Sequence, residues 1–255
     1  MRFLETLGRA ALVVLEFHGR CVSLLALTLR GLFRRPFDGK AIATQVVRVG
    51  VDGLPVVLLT SVFTGAVLAL QTYTGFQRFH AEAYVGSVVA LSMLRELAPV
   101  LTGLMVTGRS GSAMAAEIGS MRVTEQIDAL VALATDPVQY LFVPRVLAGV
   151  IVLPMLVVLA NALGIGGGYL VAVRLLGANP VVYVNNTFQY LDLNDLWSGL
   201  VKAAVFGLLL ALIGCQQGFD TRGGAEGVGR STTAAVVLGS LAILVSDFFL
   251  TKVLF

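Results

Sequence analysis

The sequence predicts an all-α integral membrane protein, in which an N-terminal amphipathic interfacial helix precedes five transmembrane helices. Hydrophobic residues make up 57% of the 255 residues and charged residues only 13%, whereas a soluble domain carries about 25% charge. The mean hydropathy is +0.88, and apolar runs long enough to cross a bilayer recur along the chain. These observations exclude a soluble globular protein, and the length leaves room for one domain over residues 1–255.

The N-terminal segment, residues 1–35, has the spacing of an amphipathic helix, and a basic link extends it to about residue 40. Its apolar residues recur at helical spacing, while Glu5, Arg9 and Glu16 fall on another face. A signal peptide is the alternative. However, these charges interrupt the apolar core that it needs, and no small-residue cleavage site follows. We therefore predict a helix in the membrane interface, joined to a five-span bundle over residues 48–255.

The predicted spans cover residues 51–73, 84–107, 145–174, 196–215 and 231–249. Small residues four apart in the first span predict a close helix contact, either within the chain or between two copies; they are Ser61, Gly65 and Ala69. Asp136 and Pro137 are typical of a helix start before the third span. The segments Leu175–Asp195 and Gly218–Arg230 are predicted as a polar loop and a flexible glycine-rich turn.

The distribution of basic residues predicts the orientation, because Lys and Arg accumulate on the cytoplasmic side of membrane proteins. With the N-terminus in the cytoplasm, that side receives the basic residues up to Arg48. It also receives Arg109, Arg122, Arg145, Arg222 and Arg230. The outside receives only Arg78, Arg174 and Lys252. We therefore expect the polar segment after Arg109 to be cytoplasmic and Phe255 to lie outside.

Four charges fall within the predicted spans: Arg95, Glu96, Lys202 and Asp247. A charge at mid-bilayer costs about 2.5–3.5 kcal/mol, so these side chains should pair or face water, and their signs cancel. Paired packing salt bridges are one interpretation, and a water-filled cavity that admits a polar head group is the other. We favour the cavity, and expect Glu96→Gln and Lys202→Met to lower ligand binding without lowering protein abundance.

Four motifs between Arg95 and Gln126 resemble the MlaE/YrbE permeases, the membrane subunits of ABC transporters that move phospholipids in bacteria with a double envelope. They are Arg95-Glu96-Leu97-Ala98-Pro99, Gly108-Arg109-Ser110-Gly111-Ser112, Ala116-Glu117-Ile118-Gly119 and Met121-Arg122-Val123-Thr124-Glu125-Gln126. The similarity covers nearly the whole chain and is weakest before about Arg48.

The resemblance implies a homodimeric inner-membrane permease that is not itself an enzyme and maintains lipid asymmetry. Its expected partners are phospholipid, an MlaF-like ATPase subunit that binds ATP and Mg, a periplasmic MlaD-like MCE-domain protein and a small MlaB-like STAS-domain protein. The lipid cavity would be lined by the four embedded charges together with Gln71. A cytoplasmic coupling helix between the second and third spans would dock on the ATPase; the expected contacts are Glu117, Arg122, Glu125, Gln126 and Asp128.

The residues themselves agree with such a helix, because Val123, Ile127, Leu130 and Ala134 form one apolar stripe. A surface helix that packs only on its own bundle is the alternative. Either way, the polar side chains between these positions lie off the stripe.

Two motifs imitate catalytic ones. Gly224–Ser231 resembles a P-loop but has Arg230 in place of the Lys and follows a span rather than a strand. Gly108-Arg109-Ser110-Gly111 resembles an intramembrane serine hydrolase motif, but a nucleophilic Ser needs a nearby base, and we expect none beside Ser110. An intramembrane enzyme acting on lipid or peptide remains the alternative function, and an ATP-independent channel or carrier is a third.

Cys21 and Cys215 predict neither a disulfide nor a metal site, and no basic patch suggests nucleic acid.

Overall fold

The computed structural model describes residues 12, 15, 19–31 and 39–254, and every regular element within these ranges is a helix. Helix α1 covers residues 19–31. Five further helices are long and apolar enough to cross a membrane, as the sequence predicts. They are α2 (Gly39–Gln77), α3 (Glu82–Val123), α5 (Val138–Leu175), α7 (Leu193–Phe219) and α8 (Gly224–Leu254). Two short helices, α4 (Gln126–Ala132) and α6 (Pro180–Gln189), lie between them.

Successive long helices run antiparallel, so the bundle has two ends. One end holds the start of α2 and the turn between α7 and α8, and α1 contacts it through an Arg20–Asp220 ion pair of 3.3 Å. The other end holds the turn between α2 and α3, helix α6, and the end of α8. Most of the predicted interfacial helix over residues 1–35 lies outside the described residues, so its position in the interface stays a prediction.

Polar side chains cap the N-terminal ends of α5 and α6. The Asp136 carboxylate accepts the Val138 N–H at 2.9 Å before α5, as expected. The Asn179 side chain accepts from the N–H groups of Val181 and Val182. Together with Pro180 at the first helical position, this cap starts α6. The prediction of a polar loop over Leu175–Asp195 was therefore wrong in its centre.

The glycine-rich turn is also shorter than predicted, because α7 continues to Phe219 and α8 begins at Gly224. Gly223 and Gly224 take positive φ angles of 90° and 67°, which other residues rarely adopt, and they reverse the chain. The Thr221 hydroxyl donates to the Ser231 hydroxyl at 2.8 Å and joins the two helix ends. The P-loop-like sequence thus forms the first turns of a helix, and the preceding element is helix α7.

Small residues bring the long helices into backbone contact. Gly65 of α2 lies against the backbone of Gly164 of α5, and a Cβ atom on Gly65 would collide with the Gly164 carbonyl group. The buried small residues of α2 therefore pack within the chain, which decides between the two interpretations of this stripe. Gly149 of α5 and Gly207 of α7 approach each other's carbonyl groups in the same way.

Two turns of α3 are π-helical, Met93–Leu97 and Thr107–Gly111. A π-turn inserts one extra residue into a helix, redirects the neighbouring side chains and is often found at functional sites. The first contains Arg95 and Glu96, and the second contains Arg109. Each turn therefore presents charged side chains to the adjacent helices.

Candidate functional site

Lys202 is the centre of a group of charged and polar side chains inside the bundle, and α3, α7 and α8 contribute to it. We call this group the Lys202 cluster; its members are Arg95, Glu96, Asp195, Lys202, Asp247 and Thr251. The structure thus brings together all four charges that the sequence places inside the spans. It adds Asp195, which the sequence analysis left at the end of a loop.

The Lys202 ammonium is completely enclosed, with 0% of its side chain exposed. It donates hydrogen bonds to Glu96 Oε2 at 2.7 Å, to Thr251 Oγ1 at 2.7 Å and to the carbonyl oxygen of Arg95 at 3.0 Å. An ammonium group has three protons, so these acceptors use all of them. Asp247 Oδ1 lies 3.0 Å from Nζ as an ion pair. Lys202 therefore has no proton left to offer a ligand in this structure.

Arg95 pairs with Asp195, with Nη2 2.6 Å and Nε 2.7 Å from Oδ1. The Asp195 side chain is 2% exposed, and its second oxygen accepts the N–H of Asp192 at 2.9 Å, which caps α7. Asp195 and Lys202 are seven residues apart, so both point from one face of α7 towards α3. The Asp192-x-x-Asp195 spacing of a capping box is the signal that could have identified Asp195.

The formal charges of the cluster do not cancel. Arg95 and Lys202 supply two positive charges, whereas Glu96, Asp195 and Asp247 supply three negative ones. The cluster opens at Glu96 and Arg95, whose side chains are 39% and 40% exposed. Lys202 itself is enclosed in this geometry, and the predicted role of the embedded charges as the lining of a lipid cavity stays a prediction.

Gln71 lies outside the Lys202 cluster, on the exposed face of α2. It lines an open, mostly apolar groove of about 450 Å³, formed by Thr60, Phe63, Thr64, Val67, Leu68, Gln71 and Leu97. Leu97 follows Glu96 directly in α3. One residue of the groove is therefore the chain neighbour of Glu96, and the predicted cavity residues divide between a polar cluster and an apolar groove.

A second group of charges lies nearer the other end of the bundle, and we call it the Glu117 cluster. Its members are Arg48, Asp52, Arg109, Glu117 and Arg145. Glu117 accepts from Arg48 at 2.9 Å and from Arg145 at 2.8 Å. Since these three residues belong to α3, α2 and α5, Glu117 joins three helices. The sequence analysis placed Glu117 on the docking face, whereas here it contacts the chain's own arginines.

The predicted docking segment is shorter than its apolar stripe suggested. Helix α4 covers Gln126–Ala132, because Glu125 and Ala134 take left-handed φ angles of 59° and 54°. Ile127 is 1% exposed and holds α4 against the bundle. The side chains of Glu125, Gln126 and Asp128 are exposed, in agreement with a docking role that stays a prediction.

Arg122 connects α4 to the bundle. It donates to Asp128 at 2.7 Å, and its guanidinium lies 5.8 Å from the centre of the Phe219 ring at the end of α7. A movement of α4 would therefore reach α3 and α7 through this one side chain. Arg122 and Asp128 thus contact each other, and a contact of either with a partner stays a prediction.

The hydrolase motif gains no histidine base in the part of the chain that the structure describes. Ser110 lines a small pocket with four members of the Glu117 cluster, and no histidine lines that pocket. His80 lies at the turn between α2 and α3, at the other end of the bundle. Within the described residues, no cluster of His, Cys, Asp and Glu could hold a metal ion.

Comparisons with known proteins agree with this architecture. The profile of a family described as Permease MlaE matches residues 42–253. A probable ABC transporter permease protein of Rickettsia typhi is 49% identical over 90% of this chain and 88% of that protein. Protein TRIGALACTOSYLDIACYLGLYCEROL 1, chloroplastic, of Arabidopsis thaliana is 39% identical over 83% of this chain and 60% of that protein. The intermembrane phospholipid transport system permease protein MlaE of Haemophilus influenzae is 37% identical over 100% of this chain and 98% of that protein.

Proposed function

The chain belongs to the MlaE family of ABC transporter permeases, and we propose that its substrate is phospholipid. In this proposal it exchanges phospholipid between the inner membrane and a periplasmic MCE-domain protein, and so maintains outer-membrane lipid asymmetry. As an ABC permease it works with an ATPase subunit, which binds the ATP and Mg. A homodimer, an MlaD-like MCE protein and an MlaB-like STAS protein complete the proposed assembly.

The observation that carries the substrate assignment is that Leu97, which lines the apolar groove, directly follows Glu96 of the polar cluster in α3. A phospholipid needs polar groups for its head group and an apolar surface for its acyl chains. Arg95 and Glu96 supply exposed charges, and the next residue, Leu97, lines the groove together with Gln71. The Arg95 guanidinium suits a phosphate, since its planar fork donates several hydrogen bonds.

The proposed orientation in the membrane rests on the distribution of basic residues between the two ends of the bundle. The end that carries Arg48, Arg109, Arg122 and Arg145 is proposed to be cytoplasmic, and the end that carries α6 is proposed to be periplasmic. Single cysteines at positions 125 and 185, in a background without Cys21 and Cys215, test this in whole cells. An impermeant reagent should label position 185 and not position 125, and the reverse pattern would overturn the orientation.

The proposed coupling mechanism passes a movement from α4 through α3 to α2. ATP-driven closure of the ATPase subunits would move α4, which docks through Glu125, Gln126 and Asp128. The Arg122–Asp128 pair passes this movement to the end of α3. Glu117 of α3 holds both α2 and α5, so the movement reaches the helix that forms the groove wall. Compression of the groove would then release the lipid.

Reconstituted transport tests the function. The permease and the ATPase subunit of the same bacterium are placed in vesicles that contain a fluorescent phospholipid, and its transfer to a soluble acceptor is followed with ATP and with a non-hydrolysable analogue. We expect transfer only with ATP and both subunits. Transfer that is independent of the ATPase would support a carrier, and lipid hydrolysis by the permease alone would support an enzyme; either result contradicts the proposal.

The docking role of α4 is tested by Glu125→Lys. Reversing a charge in an interface sets like charges against the partner and can cost several kcal/mol. We expect the ATPase subunit to co-purify poorly with this variant, while membrane abundance stays normal. Glu82→Lys, the same reversal at the other end of the bundle, is the matched control. Full recovery of the ATPase with Glu125→Lys would remove Glu125 from the docking face.

A further inference from the structure

Helix α6 has three distinct faces. Tyr183 and Thr187 form the buried face, and they are 3% and 5% exposed. An apolar face, formed by Val181, Val184 and Phe188, is 65%, 38% and 73% exposed. The remaining face carries Asn185, Asn186 and Gln189 together with Val182, which is 40% exposed, and the helix contains no charged residue. Among the described residues, the apolar face is therefore exposed.

The contacts of α6 fix its depth along the bundle. The Asn186 amide donates to the Ala83 carbonyl at 2.8 Å, and the Ser87 hydroxyl donates to the Asn186 carbonyl at 2.9 Å. The Tyr183 ring packs on Tyr169 of α5 with 5.7 Å between the ring centres. Helix α6 thus packs beside the first turns of α3 and reaches the last turns of α5, within the two spans rather than beyond them.

The Tyr183 side chain is 3% exposed, so its ring is enclosed between α6 and the spans and holds α6 against them.

At this level the surrounding surface is apolar and aromatic. Leu170 of α5 is 56% exposed, and Trp197 of α7 is 68% exposed. Tyr84 and Tyr190 are each 48% exposed and form an edge-on pair with ring centres 5.9 Å apart. Exposed Trp and Tyr side chains are typical of the membrane–water interface. The apolar face of α6 therefore continues the lipid-facing surface of the spans.

We propose that α6 is a membrane-interface helix, with Val181, Val184 and Phe188 immersed in the lipid at the end of the bundle where α2 meets α3. The absence of charge favours lipid over a charged protein partner. An amphipathic helix in this position inserts its apolar face about 5–10 Å into the boundary between head groups and acyl chains. Helix α6 would thereby hold the bundle at a fixed depth.

The test uses the single tryptophan, Trp197. Trp197→Phe gives a background without tryptophan, in which Phe188→Trp reports on the apolar face. Gln189→Trp is the matched control, because adjacent helical residues point about 100° apart. Each full-length variant is purified and reconstituted in vesicles of brominated phosphatidylcholine. Bromine quenches tryptophan fluorescence, and two lipids are compared, one brominated high on its acyl chains and one brominated near their ends.

We expect Phe188→Trp to lose most fluorescence to the lipid brominated high on its chains. Gln189→Trp should instead lose fluorescence mainly to iodide in the buffer. Quenching of Phe188→Trp mainly by iodide would place the face in water and overturn the proposal. Protection from both quenchers would show that a second copy or another protein covers it, which overturns the proposal as well. Val184→Trp reports on the same face should Phe188→Trp fail to fold.

Discussion

The Lys202 cluster and the Glu117 cluster contain similar ion pairs but differ in burial. Both combine arginine or lysine with carboxylates, and both lie between α3 and neighbouring helices. The Lys202 side chain is 0% exposed and touches four acceptor groups. In the Glu117 cluster, Arg48 and Glu117 are 56% and 40% exposed, and only Arg145 is enclosed. The same chemistry therefore has different energetic consequences in the two clusters.

This difference in burial distinguishes Lys202, whose charge has a structural role, from the Arg48–Glu117 pair, whose contact can change. Removing one partner of a buried ion pair leaves the other charge without solvation, whereas water replaces the lost partner of an exposed pair. Lys202 is therefore fixed in place. The Arg48–Glu117 pair can break and re-form as helices move, which suits a connection between the docking segment and the groove.

Lys202→Met should give the largest effect. It leaves Glu96 and Asp247 close together without their shared cation, and the loss of a buried partner costs about 3–5 kcal/mol. We expect membrane abundance, measured by immunoblot, to fall sharply. Lys252→Met, at the exposed end of α8, is the matched control and should leave abundance unchanged. Normal abundance of Lys202→Met would show that water reaches the cluster, as the sequence alone suggested.

Much of this architecture could be predicted from the sequence because its signals are strong. Five apolar runs predict five spans, and charges inside such runs stand out because each is costly in a membrane. The partner of Arg95 was missed because Asp195 lies before the apolar run of α7, where a charge needs no explanation. Arg145 was counted only as a marker of orientation, and its contact with Glu117 depends on how α3 and α5 pack. Long-range pairings of this kind leave no local pattern.

Glu96→Gln should have an intermediate effect, and it separates stability from lipid binding. The Gln side-chain oxygen can still accept from Lys202, and Asp247 still balances the Lys202 charge, so the loss should stay within about 1.5 kcal/mol. The substitution also removes the negative charge of Glu96, whose side chain is 39% exposed at the opening of the cluster. We expect near-normal abundance but a changed amount of phospholipid extracted per purified complex, with Glu82→Gln as control. Unchanged lipid content would remove Glu96 from the lipid site.

Arg48→Met should have the smallest effect on stability. The Arg48–Glu117 pair is 2.9 Å long and more than a third exposed on both sides, and such pairs contribute roughly 0–1 kcal/mol. Glu117 also keeps its contact with Arg145. We expect the thermal midpoint in detergent to change slightly at low salt and not at high salt, because salt screens exposed charges.

The same variant should still slow ATP-driven lipid transfer, because Arg48 is the residue through which Glu117 holds α2. Lys40→Met, a similar loss of charge near the start of α2, is the control for general electrostatic effects. A stability loss as large as that of Lys202→Met would contradict the difference in burial between the two clusters. Normal stability with normal transfer would instead place the connection between α3 and the groove elsewhere, with Arg145 as the next residue to test.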